Sequence, residues 1–127
     1  MKLINIIFET TTDCNYNCLY CYNIWKISKD RNYRINSYKQ SKNTLKKLFE
    51  NNKIETITFT GGEPFVSERF NELMMYVRLK GVNINVITNG SMLNSETIGY
   101  LKKLSVGAVE IPFLSINPEI HDKLVCH

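Results

Sequence analysis

The stretch IETITFTGGEP, residues 54–64, changes character partway along. In its first part, Ile54, Thr56, Thr58 and Thr60 alternate with Glu55, Ile57 and Phe59. β-Branched and aromatic residues at period two read as a strand. Gly61 and Gly62 then break the pattern, and Pro64 rigidifies the exit. A helical pattern follows, with Phe70, Leu73, Met74 and Val77 at i, i+3, i+4 and i+7. Ser67 reads as its N-cap and Gly81 as its stop, with Met74 in the core and Met75 at the rim.

The same unit recurs on either side. LINIIF (Leu3–Phe8) and VNINVIT (Val82–Thr88) read as strands, and so does Val106–Ile116, whose run VEIPFLSI is interrupted by Pro112. Leu45, Leu48 and Phe49 form the buried stripe of the helix before the second strand. Asn94 or Ser95 caps the helix after the third, whose apolar face is Ile98, Leu101 and Leu104. Strand–helix alternation with short connections predicts parallel strands joined by right-handed crossovers. The expected fold is α/β, a parallel sheet of about four βα units, either open or part of a barrel.

Composition sets outer bounds. The 127 residues fit one domain, and 43 % hydrophobic with 22 % charged residues excludes a disordered tail or a fibrous repeat. No apolar run approaches the ~20 residues that span a bilayer. MKLINIIFETT has one lysine, a short apolar run and no small-residue cleavage site, so it reads as a strand and not a signal peptide. A cytoplasmic protein with reduced cysteines is expected. The net charge of +4 is weak evidence for any partner. Trp25–Lys39 mixes basic and aromatic residues, but it reads as a solvated loop leading into a helix. Neither nucleic acid nor membrane is expected as a partner.

In parallel α/β folds, ligands collect at the carboxyl ends of the strands. Four polar motifs fall there: the cysteine loop Cys14–Cys21, GGEP (Gly61–Pro64), TNG (Thr88–Gly90) and SIN (Ser115–Asn117). Cys14, Cys18 and Cys21 lack the second CxxC pair of a typical zinc site. Three thiolates can hold three irons of a [4Fe–4S] cube and leave the fourth iron to a small molecule. Cys126, His121 and His127 stand at the far end, and Cys126 or His121 could instead close a zinc site or a closed cluster. The Asn-, Asp- and Tyr-rich loop is a poor home for incidental buried thiols. The GGEP turn could bring backbone and the Glu63 carboxylate to a cationic amino group. Asn89-Gly90 is a common turn pair. Ser115 and Asn117 could hold a ribose or a carboxylate.

Together these residues resemble the radical S-adenosylmethionine (radical SAM) superfamily. The Cys14-x3-Cys18-x2-Cys21 spacing, Tyr20 before the third cysteine and GGEP after the second strand carry the resemblance. TNG, and Ser115 followed by His121-Asp122, resemble the peptide- and protein-modifying SPASM-type subgroup. The resemblance implies that Cys14, Cys18 and Cys21 ligate a [4Fe–4S] cluster. It implies that Gly61, Gly62 and Glu63 contact the methionine amino group of S-adenosylmethionine. It places Tyr20 against the adenine, Ser115 at the ribose or carboxylate, Asn117 where the subgroup commonly has Asp, and Asn89 at the pocket lining.

The implied activity is reductive cleavage of S-adenosylmethionine to a 5′-deoxyadenosyl radical that abstracts hydrogen, here from a peptide or protein. An electron donor such as flavodoxin or ferredoxin is implied as a partner. The family's core is a six-unit partial (β/α) barrel, so residues 1–127 are expected to be the N-terminal part of that domain. A separate C-terminal half is a further expected partner. The alternatives are a non-catalytic metal-binding module and an inactive fragment that binds a partner half-barrel.

Overall fold

The computed structural model describes residues 2–22 and 37–126. Residues 25–36 of the basic stretch, and His127, lie outside them. The chain runs β1 (Lys2–Thr11), α1 (Tyr38–Asn51), β2 (Lys53–Gly61), α2 (Phe70–Leu79), β3 (Asn83–Ile87), α3 (Ser95–Lys103), β4 (Ala108–Glu110) and α4 (Pro118–Val125). A single 3-10 turn, Pro64–Val66, follows β2. The four strands form one parallel sheet in the order β1-β2-β3-β4. This is the expected α/β architecture.

The register sorts the side chains into two faces. Ile6, Ile57 and Ile84 align across three strands, as do Phe8, Phe59 and Val86. Most of these residues join the core with Leu45 of α1, Phe70, Leu73, Met74 and Val77 of α2, and Leu101 of α3. By alternation the opposite face carries Asn5, Thr56 and Asn83 in one row and Ile7, Thr58 and Asn85 in the next. One face is thus an apolar seat for helices, and the other is largely polar.

Aromatic rings tie the core to the turn after β2. Phe8 meets Phe59 edge-on at 5.9 Å, Phe59 meets Phe70 at 5.3 Å, and Phe70 meets Phe65 at 5.2 Å. Edge-to-face pairs of this kind contribute about 0.5–1.5 kcal/mol beyond their burial. The ring of Phe65 lies just beyond the GGEP glycines, so the turn is seated on the core.

Three expectations are corrected. β4 is three residues long and does not reach Ile116. Pro112 has no N–H to give a ladder and restricts Ile111 before it, so the chain leaves the sheet after Glu110. Ser67 is not the cap of α2: it closes the 3-10 turn by donating its N–H to Pro64 O, and Arg69 in the left-handed region precedes the helix. Arg69 is held there by paired bonds to Glu72 at 2.7 and 2.6 Å. Ile98 of α3 is exposed, leaving Leu101 and Leu104 to make its packing. Asn94 caps α3 as expected, and Gly81 ends the turn after α2 at φ +76°.

Phe59 has no exposed surface and touches rings on both sides. Phe59→Ala is expected to destabilise the fold by about 3–5 kcal/mol, measured by urea unfolding.

Candidate functional site

The GGEP turn is clasped to the cysteine loop by backbone alone. The Gly62 N–H donates to Thr11 O at 2.7 Å, and the Glu63 N–H donates to Asp13 O at 2.7 Å. A Cβ on Gly62 would lie 1.9 Å from Asp13 O, and one on Gly61 would lie 2.4 Å from Thr11 O. Gly61 also holds φ +125°, outside the range of L side chains. The glycines therefore admit a neighbouring loop, a demand that precedes any ligand.

The carboxylate of Glu63 is fully buried. Its Oε1 accepts from the Thr88 hydroxyl at 2.7 Å and the Phe65 N–H at 3.1 Å, and its Oε2 accepts from the Asn89 N–H at 2.7 Å. The sequence reading offered this carboxylate to a cationic amino group. The structure turns it inward and fills it with protein donors, so the exposed chemistry of the turn is backbone.

The loop after β3 is fixed from the same point. Thr88 Oγ1 also accepts from the Gly90 N–H at 3.1 Å, and Gly90 sits at φ +82°. The Asn89 amide then reaches the cysteine loop, donating to Asn15 Oδ1 at 2.8 Å and lying 3.8 Å from Cys14 Sγ. On its other side, the cysteine loop is held by α4, where the Leu19 N–H donates to Leu124 O at 2.9 Å.

Cys14, Cys18 and Cys21 line one cavity of about 150 Å³ with Tyr20, Tyr22, Thr60, Gly61, Gly62, Thr88 and Asn89. A broader depression of about 830 Å³ lies at the other end of the sheet, near Lys2, Lys53 and Val82. The amino ends of parallel strands are the wrong place for a ligand, so the smaller cavity is the candidate.

The donor set fits an iron–sulfur cluster. All three cysteines are free and partly exposed. The Cys14 sulfur accepts from the Tyr16 N–H at 3.4 Å. Among the described residues, no three His, Cys, Asp or Glu side chains are grouped to hold one metal ion. A cube binds each thiolate to a different iron, so it asks for thiols around a cavity and not for convergence on a point.

Tyr20 is 48 % exposed beside the thiols. Its hydroxyl is pushed up to about 12, first by desolvation, then by its hydrogen bond to Cys18 and its electrostatic interaction with Cys18, Cys21 and Cys14. Tyr22 is also raised, by desolvation first and then by Glu9.

Other expected residues lie elsewhere. Ser115 and Asn117 do not line the cavity. Asn117 caps α4, accepting from the N–H groups of Glu119 and Ile120, and its own N–H donates to Ser115 Oγ at 3.0 Å. Cys126 is exposed and borders a separate depression with Cys14 but without Cys18 or Cys21. His121 packs against the Phe113 ring at 6.3 Å. Thr88 enters the cavity through the TNG motif, whereas Tyr22, Thr60, Ile87 and Pro112 are cavity residues that sequence reasoning missed. The strand alternation that placed Thr60 beside Gly61 was a usable signal for one of them.

The radical SAM superfamily model matches residues 8–125, and the chain belongs to that superfamily. The family's cofactors are a [4Fe–4S] cluster and S-adenosylmethionine. The chain is 36 % identical over 123 residues to the antilisterial bacteriocin subtilosin biosynthesis protein AlbA of Bacillus subtilis (strain 168), covering 94 % of this chain and 26 % of that protein. It is 28 % identical to an S-adenosylmethionine-dependent nucleotide dehydratase of Pseudoalteromonas ulvae, covering 94 % of this chain and 41 % of the relative. The fold matches Streptococcus suis SuiB bound to S-adenosylmethionine at a TM-score of 0.72 and 15 % identity, over 97 % of this chain and 27 % of SuiB. The chain thus spans well under half the length of these relatives. No helix among the described residues is long and apolar enough to cross a membrane.

Gly62→Ala and Gly99→Ala separate close approach from mere flexibility. A Cβ on Gly99, within α3, would meet nothing within 4 Å. Gly99→Ala is expected to stabilise by about 0.5–1 kcal/mol. Gly62→Ala is expected to lower the melting temperature, both read by thermal unfolding.

Proposed function

We propose that this chain carries the cluster- and cofactor-binding part of a radical SAM enzyme that modifies a peptide or protein. One observation carries the reading: the thiols of Cys14, Cys18 and Cys21 and the Gly61–Gly62 backbone line the same cavity at the carboxyl ends of the strands. Cys14, Cys18 and Cys21 hold the cluster. The backbone of Gly61, Gly62 and Glu63 faces the cofactor's methionine, and Tyr20 lies against its adenine. Ser115 and Asn117, occupied in capping α4, have no cofactor role in this reading.

When bound, the reduced cluster and S-adenosylmethionine supply a 5′-deoxyadenosyl radical that abstracts hydrogen from the substrate. The chain's own residues bind, orient and shield. Its loops fix the three thiols, the glycine turn admits the ligand beside them, and Tyr20 and Tyr22 line the cavity. The peptide substrate is supported by AlbA, named for bacteriocin biosynthesis, and by the matching fold of SuiB bound to its precursor peptide. An electron donor of the flavodoxin or ferredoxin kind reduces the cluster. The chain forms the N-terminal part of the core domain, and later βα units complete the pocket.

Anaerobic reconstitution is expected to give about four irons per chain and a reduced-state spectrum that S-adenosylmethionine alters. Cys14→Ala, Cys18→Ala and Cys21→Ala each lose iron, while Cys126→Ser keeps it. One zinc per chain without sulfide, or a spectrum indifferent to S-adenosylmethionine, contradicts the reading.

A further inference from the structure

The side-chain amide of Asn89 has every hydrogen-bonding position filled. Its Oδ1 accepts from the Ser91 N–H at 2.9 Å and the Ser91 hydroxyl at 2.6 Å. A backbone N–H can only donate, which fixes the oxygen toward Ser91 and the nitrogen toward the cysteine loop. Nδ2 gives one hydrogen to Asn15 Oδ1 at 2.8 Å and points the other at Cys14 Sγ at 3.8 Å. Asn15 Nδ2 in turn donates to Ser91 Oγ at 2.8 Å. Asn89, Asn15 and Ser91 thereby close a ring of hydrogen bonds between the cysteine loop and the loop after β3. The Asn89 main chain is pinned from below by Glu63.

We propose that Asn89 is a positioning residue: it orients Cys14 and aims an N–H dipole at its sulfur, tuning the cluster and leaving its amide no free hydrogen-bonding position for the cofactor. The inference rests on the cluster reading above. Reduction adds a negative charge to a cluster, and N–H groups directed at its sulfurs stabilise that charge. Cys14 already receives the Tyr16 N–H at 3.4 Å, so Asn89 supplies a second donor. Losing it should make the cluster harder to reduce. The neighbours fit this role. Asn15 follows Cys14 directly in the chain, so the ring grips the loop at the ligand itself. Ser91 lets the amide oxygen be fully occupied, which leaves Nδ2 no other orientation.

The test is an anaerobic redox titration of the reconstituted protein, followed by the visible and paramagnetic signals of the cluster. Asn89→Ala is expected to retain iron and sulfide but to shift the midpoint to more negative potential. Ser91→Ala leaves Asn89 in place but opens the ring, and is expected to shift it the same way by less. A merely structural role would lower the melting temperature and leave both midpoints where they were. If Asn89→Ala fails to load, Ser91→Ala decides: an unchanged or more positive midpoint overturns the inference. Loaded variants with wild-type midpoints overturn the inference alone and leave the family reading standing. A wild-type protein that assembles no cluster overturns both.

Discussion

The buried carboxylate of Glu63 is the contact that joins the loops of the site. Burying a carboxylate without partners costs several kcal/mol. Glu63 offsets this with three donors: the N–H of Phe65 in its own turn, and the hydroxyl of Thr88 and the N–H of Asn89 in the loop after β3. Its own N–H binds Asp13 in the cysteine loop. One residue thus touches the ends of β1, β2 and β3. The other features follow from this junction. Gly61 and Gly62 must be glycine because the cysteine loop comes so close, and Asn89 can reach Cys14 because Glu63 holds its backbone.

The division of labour across the sheet explains why such a junction is affordable only at this rim. The apolar face, with Phe8, Phe59 and Val86 in one row, provides the stiff core. The loops at the carboxyl ends reach the core through Pro64 and Phe65, and hydrogen bonds set the rest of their shape. A cluster bound there is sensitive to small displacements of its thiols, so the supporting bonds matter as much as the ligands. The cysteine loop and the segment leading into it are held at three places: by the GGEP turn at Thr11 and Asp13, by Asn89 at Asn15, and by α4 at Leu19.

The sequence made the architecture legible because each βα unit carries a local signal. Short β-branched apolar runs marked β1, β2 and β3, with clear alternation in β2, and the Phe70–Val77 spacing marked α2. The three cysteines and GGEP were legible as a site because parallel topology places loops after strands on one rim. What stayed hidden was which way side chains turn. Nothing local distinguishes a Glu63 aimed at a ligand from one aimed into the protein; that depends on Thr88 and Asn89, some 25 residues on. The capping role of Asn117 was written in Asn-Pro at a helix start, but the proximity of Ser115 suggested a ligand instead. β4 was overestimated because apolar residues continue past Pro112, where the backbone can no longer pair.

Amide hydrogen exchange, resolved by residue in Glu63→Ala against the wild type, tests the central claim most directly. The account predicts that Asn89 and Gly62 lose protection together while Phe59 and Val86 in the sheet keep theirs. Retained protection at Asn89 and Gly62 in the variant would show that the loops hold without the carboxylate, and would contradict the account.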